Sequence, residues 1–192
     1  MRALAAGDEQ ALAALLARYE RPLASFISRQ TGGIDVDDVY QETWMRVVRH
    51  CDRFDPERRF STWLFQIAVN LCRDQARRAG REVVDHEAAV RTAEAGGARD
   101  GGPSRGGSSF APGSDARIDA DRLLARLPAE QREVLVLRYY HDFSEGRIAE
   151  IVGCPRGTVK SRIHNALARL SRLVAAEEAA ERTLGGTGED TR

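Results

Sequence analysis

Net charge is the first thing this chain lacks: 29 basic side chains are matched by 29 acidic ones. That excludes a protein that coats nucleic acid through bulk charge alone. Lysine is nearly absent as well. Lys160 is the only one, and arginine supplies the rest of the basic charge. No apolar run approaches the ~18 residues that a membrane-spanning helix needs. Residues 1–10 have neither the apolar core nor the small-residue cleavage site of a secretory signal, so a cytoplasmic location is expected. The three cysteines, Cys51, Cys72 and Cys154, are far apart and form no CxxC pair. Their spacing builds neither a disulfide framework nor a zinc site and fits a reducing compartment. Strand-type alternation is also missing.

What is present is helical. The length of 192 residues has room for one ordinary domain or two small ones. Composition changes near Gly80: the stretch 80–115 holds eight glycines and few large apolar residues. Its part from 96 to 114 cannot bury enough surface to offset the entropy of ordering it. A flexible linker is expected there, with a short helix near 83–94. A loop of that length inside one compact domain is improbable, which favours two domains.

In the first block, Asp8 is placed to cap a helix with Leu12, Leu15, Leu16, Tyr19, Leu23, Phe26 and Ile27 on one face. Thr31-Gly32-Gly33 ends it. Asp35 or Asp37 is placed to cap a second helix bearing Val36, Val39, Tyr40, Trp44, Val47 and Val48, whose acids also suit the positive end of the helix dipole. After a break at Phe54-Asp55-Pro56, Ser61 is expected to cap a third helix with Leu64, Ile67, Ala68 and Leu71 buried. Three or four such helices make a small bundle. Asp35, Asp37, Asp38 and Glu42 read most simply as capping and solvation. With no histidine at ligand spacing they make a weak metal site, and neither a metal nor a cofactor is expected.

The second block places Ala120, Leu123, Leu124 and Leu127 on one stripe, and Pro128 opens the next helix, which carries Val134, Leu135, Arg138 and Tyr139. Ser144 is positioned to cap a short helix, Gly153-Cys154-Pro155 to turn the chain, and Thr158 to cap a further helix with Val159, Ile163, Ala166, Leu167 and Leu170 on one face. Ala149, Gly153 and Val159 have the spacing of a helix-turn-helix: the alanine permits close helix approach and the glycine an unusual backbone angle. Between 155 and 174 lie five basic residues, Arg156, Lys160, Arg162, Arg169 and Arg172, and no acidic one. Long cations for phosphates beside short polar groups for base edges are the chemistry of a major-groove helix. The plain alternative is a solvated basic face, and His164 has a plain reading as a solvent-facing residue. No nucleophile with an oriented acid or base is identifiable, so the chain is not read as an enzyme.

At this point the sequence resembles a known family. Residues 127–170, including the run CPRGTVKSRIHNALARL, resemble region 4 of the extracytoplasmic-function (ECF) sigma factors of bacterial RNA polymerase. Residues 35–78 resemble region 2 of the same family: DDVYQETW is similar to its polymerase-binding helix and FSTWLFQIAVNLCRD to the segment that opens and reads the −10 element. The two occur in family order. Two departures are visible: Gly146 and Arg147 stand where the family usually has acidic residues, and Asn165 stands at a position often basic.

The resemblance implies an all-α protein of two small domains. Residues 1–79 would be a region 2-like domain, 80–115 a flexible linker, 116–174 a region 4-like helix-turn-helix domain and 175–192 a disordered acidic tail. Asp38, Gln41, Glu42 and Arg46 would dock on the clamp helices of core polymerase. Phe60, Ser61, Thr62, Trp63, Asn70, Arg73, Asp74, Arg77 and Arg78 would serve the −10 element, where stacking and cationic groups capture unpaired bases without covalent chemistry. Core packing is the plain alternative for Trp63 and Phe65, whereas Phe60, just ahead of the cap, is expected to be exposed. Arg156, Thr158, Lys160, Ser161, Arg162, His164, Asn165 and Arg169 would face the −35 element. Core RNA polymerase, promoter DNA and an anti-sigma factor are the implied partners. A sigma-like adaptor that only sequesters an anti-sigma factor is the alternative. The zero net charge then becomes a sum over a basic DNA-facing helix, an acid-capped polymerase-facing helix and an acidic tail.

Overall fold

The computed structural model describes residues 2–93 and 115–185. Among these, every regular element is helical. The elements fall into two compact units, each with its own core.

The first unit holds α1 (Arg2–Ala5), α2 (Glu9–Thr31), α3 (Val36–Arg49), the single 3₁₀ turn Cys51–Arg53 and α4 (Phe60–Ala93). Asp8 starts α2 as expected: its Oδ1 accepts from the Gln10 N–H at 2.9 Å and the Ala11 N–H at 3.2 Å. Gly32 ends it in the left-handed region at φ +67°, and the Gly33 N–H donates to the Ser28 carbonyl at 2.9 Å. Pro22 lies inside α2 and has no N–H to give the Arg18 carbonyl, yet the helix continues. Leu23, Phe26 and Ile27, immediately after it, are the fully buried part of α2. Burial on that face holds the second half of the helix in place.

These residues meet Val36, Val39, Trp44 and Val47 of α3 and Leu64, Ala68 and Leu71 of α4 in one core. Phe26 and Phe65 pack edge to face at 5.3 Å. The core is wider on α4 than the expected stripe, for Phe65 and Val69 are also buried. On α3 it is narrower, because Val48 is exposed. Successive helical residues are 100° apart, and on α3, which buries one stripe, Val47 takes the inward position and Val48 the solvent side.

Two capping expectations in this unit are corrected. Asp35 occupies the N-cap position of α3 in a left-handed conformation, φ +49°, but its side chain caps nothing. It accepts instead from Gln75 Nε2 of α4 at 2.8 Å. Ser61 lies in the first turn of α4 rather than ahead of it. The expected linker begins at 80, yet α4 runs on to Ala93; the remainder, 94–114, lies outside the described residues.

The second unit holds α5 (Asp115–Ala125), α6 (Ala129–Tyr139), α7 (Glu145–Val152) and α8 (Arg156–Gly185). Helix α6 is its centre, with Glu133, Val134, Leu135, Val136 and Leu137 all buried. Such all-round burial follows from packing on both α7 and α8. Ile148, Ile151 and Val152 of α7 and Val159 and Ala166 of α8 complete the core. Leu167, expected on the buried face, is exposed, as its neighbour Ala166 takes the inward position. Ser144 caps α7 by accepting from the Arg147 N–H. Thr158 does not cap α8, which has already begun at Arg156. Pro155 cannot donate, and its carbonyl takes the first helical N–H groups, those of Thr158 at 2.9 Å and Val159 at 3.2 Å. The tail expected to be disordered from Ala175 is helical to Gly185, and Glu177 pairs with Arg126, just past the end of α5, at 2.6 Å. Residues 186–192 lie outside the described residues.

Gly153 makes the turn between α7 and α8 at φ +72°, and its N–H donates to the Ala149 carbonyl at 3.0 Å. No atom lies within 4 Å of where a Cβ would be placed. Gly153→Ala therefore meets backbone strain without a clash. The second unit is expected to lose roughly 1–2 kcal/mol, read as a lowered melting temperature.

Candidate nucleic-acid and polymerase interface

Helix α3 presents Asp38 and Gln41 to solvent, as expected. Glu42 and Arg46 are half-buried and bound to each other, Arg46 Nε donating to Glu42 Oε1 at 2.8 Å. The same helix exposes Met45, which sequence patterning missed, and Val48, which it placed on the apolar stripe. Gln41, Met45 and Val48 recur at four- and three-residue steps, so they share a face, and that spacing was the available signal. An apolar strip with a polar rim is the character of a protein-docking surface.

Arg46 also lines an open groove of about 390 Å³ together with His50, Arg53, Trp63, Ile67 and Asn70. It brings together Trp63 and Asn70 from the −10 set with Arg46, which was assigned to polymerase. His50 and Arg53 were not foreseen, and Ile67, expected in the buried stripe of α4, is half-buried. Trp63 and Ile67 offer apolar surface, the Asn70 amide offers a donor and an acceptor, and the arginines favour phosphate or carbonyl oxygens. That combination suits a single unstacked nucleotide.

The mouth of α4 is aromatic. Phe60 sits among Tyr19 at 5.2 Å, Trp63 at 6.1 Å, Phe54 at 6.2 Å and Trp44 at 6.3 Å, so it is half-buried and not the exposed ring expected. Trp63 also packs on Phe54 at 5.2 Å. Five rings drawn from three helices and a loop exclude water better than any would alone. Thr62 is buried and drops out as a base contact, and Phe65 belongs to the core. Ser61 is half-buried. Burial beside this cluster raises the Tyr40 phenol above its ordinary pKa. Further along α4, Arg73 is half-buried, Asp74 and Arg77 form an ion pair, and Arg78 is exposed.

In the second unit Lys160, Ser161, His164, Asn165 and Arg169 share the outward side of α8. Lys160 and His164 form one row; Ser161, Asn165 and Arg169 form the next. The Ser161 hydroxyl donates to the Thr158 carbonyl at 3.0 Å, and Thr158 is half-buried. Arg162 lies on another side: its guanidinium is held by Glu130 of α6 at 2.5 Å and passes Cys154 Sγ at 3.9 Å. It ties α8 to α6 and leaves the expected row of DNA contacts. Arg156 is exposed but bound to Glu145. None of the three cysteines forms a disulfide, and Cys72 is buried. Among the described residues no helix is long and apolar enough to cross a membrane.

Comparison with known proteins finds a family match within each of the two units. Residues 15–82 match the family described as Sigma-70 region 2, and residues 117–170 match Sigma-70, region 4. The chain is 34% identical over 163 residues to the ECF RNA polymerase sigma-E factor of Escherichia coli (strain K12), covering 83% of this chain and 84% of that one. It is 35% identical over 156 residues to the ECF RNA polymerase sigma factor EcfG of Rhodopseudomonas palustris, covering 79% and 78%. Among solved structures it is similar to the sigma factor RpoE in complex with the anti-sigma factor NepR from Bartonella quintana. There the TM-score is 0.66 and the identity 28%, over 86% of this chain and 98% of that one. It is also similar to CnrH in complex with the cytosolic domain of CnrY, with TM-score 0.62 and 31% identity over 90% and 93%.

Proposed function

The chain belongs to the ECF sigma factors of the sigma-70 family, the promoter-recognising subunits of RNA polymerase, and on that premise we propose how its residues divide the work. Sigma factors are not a catalytic enzyme family; this chain acts by binding. In the proposal, residues 1–79 dock core polymerase and open the −10 element, residues 116–174 hold the −35 element, and residues 80–115 connect them. Asp38, Gln41, Met45 and Val48 form the polymerase-facing strip, with Glu42 and Arg46 at its edge.

The observation that carries this reading is the groove between α3 and α4. Trp63, Ile67 and Asn70 there face Arg46, His50 and Arg53, an arrangement able to take one base out of the stack while cations hold its phosphate. Arg73, Arg77 and Arg78 continue along α4 as a track for the unpaired strand. In the second unit the exposed row of α8 supplies the base-edge groups Ser161, His164 and Asn165 and the cations Lys160 and Arg169. The solved relatives are bound to an anti-sigma factor or to the cytosolic domain of CnrY, and we assign this chain an anti-sigma partner of its own in the cytoplasm.

The test is run-off transcription with core polymerase over a promoter library, where open complexes and defined transcripts are expected. Stable core binding without an open complex at any promoter would replace this reading with the adaptor. Lys160→Glu is expected to weaken −35 binding about tenfold, since it removes a phosphate contact and adds repulsion. Core association should not change. Loss of both together would refute the proposed division between the two units.

A further inference from the structure

Glu145 is the first residue of α7 and Arg156 the first of α8. Their side chains meet across the helix-turn-helix, Arg156 Nε donating to Glu145 Oε2 at 3.2 Å. The contact therefore sets the two helix N-termini side by side, and both favour an anion. The geometry is that of an arginine on a phosphate oxygen, with a carboxylate in the phosphate's place. The surroundings supply further positive charge. Arg147 lies over the Phe143 ring at 5.5 Å, and Lys160 is exposed one turn along α8.

A second ion pair shows what is special about the first. In Arg162–Glu130 the arginine side chain is 21% exposed and the acid 65%. A cation held against the core cannot leave, and that pair is structural. In Arg156–Glu145 the order is reversed: the arginine is 73% exposed and the acid 31%. Here the anion is fixed at the start of a capped helix and the cation is on a long, solvated stem. Such a guanidinium can swing from carboxylate to phosphate without disturbing the fold.

We propose that Glu145 is an internal stand-in for a DNA phosphate at Arg156. It lowers the affinity of this unit for arbitrary DNA and releases the arginine only when α8 is seated on its promoter element. The proposal rests on the reading that α8 faces DNA. It explains how a helix with an exposed basic row belongs to a chain that must ignore most of the genome. A phosphate arriving at Arg156 has to displace the carboxylate and approach its charge, and correct base contacts along α8 compensate for that cost.

The experiment uses the full chain and a labelled DNA duplex of mixed sequence, titrated over a salt series. Glu145→Gln, which keeps an acceptor for Arg156 but no charge, is expected to tighten this binding about two- to fivefold, the worth of a partly exposed ion pair. The salt dependence is expected to steepen by about one released counterion. In an Arg156→Ala background the same substitution is expected to give a much smaller gain, that of removing one negative charge near DNA. Unchanged or weaker binding by Glu145→Gln overturns the proposal, as does a gain of the same size without Arg156. A lowered melting temperature with an unchanged salt slope overturns it too, by showing a purely structural acid. The underlying reading of α8 fails separately, if Lys160→Glu leaves promoter binding by the polymerase complex untouched.

Discussion

Asn70→Ala is expected to reduce open-complex formation by about tenfold or more, the discrimination carried by one well-placed amide on a base edge. Asn70 is exposed on α4 and lines the groove with Trp63. Its loss removes a donor and an acceptor without opening a hole in the core. Core polymerase association, measured by native gel or competition, should stay at the wild-type level. Promoters differing only in the captured −10 base should become more nearly equal, because the group that distinguishes them is gone. Retention of the full base preference would show that the groove does not read a base, whatever its shape. Trp63→Ala is a poorer probe, since Trp63 also packs on Phe54 and Phe60 and its removal mixes binding with folding.

Phe65→Ala should produce the largest loss of stability in the first unit. The ring is buried and meets Phe26 edge to face at 5.3 Å, with an interplanar angle of 75°. Truncating a buried phenylalanine removes its transfer free energy and leaves a cavity, about 3–5 kcal/mol together. A small domain has only about 5–15 kcal/mol in total. Denaturant unfolding followed by circular dichroism should therefore show the transition of the first unit at much lower denaturant. The second unit has its own core around α6 and should unfold as in the wild type. A single transition shifted as a whole would mean that the two units fold as one.

Much of the local structure was legible in the sequence because its causes are local. Asp8 and Ser144 bond N–H groups two or three residues away. Gly32 and Gly153 occupy φ values that few other residues tolerate. Neither needs a distant part of the chain. Where two local signals competed, the reading slipped by a few residues. Thr158 resembled a cap, but Pro155, ahead of it, fixes its own φ and starts α8 earlier. Phe60 was misplaced for a different reason. Nothing adjacent to it shows that Tyr19, 41 positions earlier (60 − 19), closes over its ring.

By itself, then, the sequence determined the helical class, the two-block order, the helix-turn-helix and the outward row on α8. Periodicity, caps and short motifs encode all of these within a few turns. Only the tertiary structure decided which charges are available and which are already engaged. Glu130 reaches Arg162 across 32 positions, Gln75 reaches Asp35 across 40, and Glu145 meets Arg156 across a turn. It also decided that Arg46, His50 and Arg53 share one groove with Trp63 and Asn70. Charge and hydrogen bonding act at contact distance, and contact between residues far apart in the chain exists only once the helices have packed.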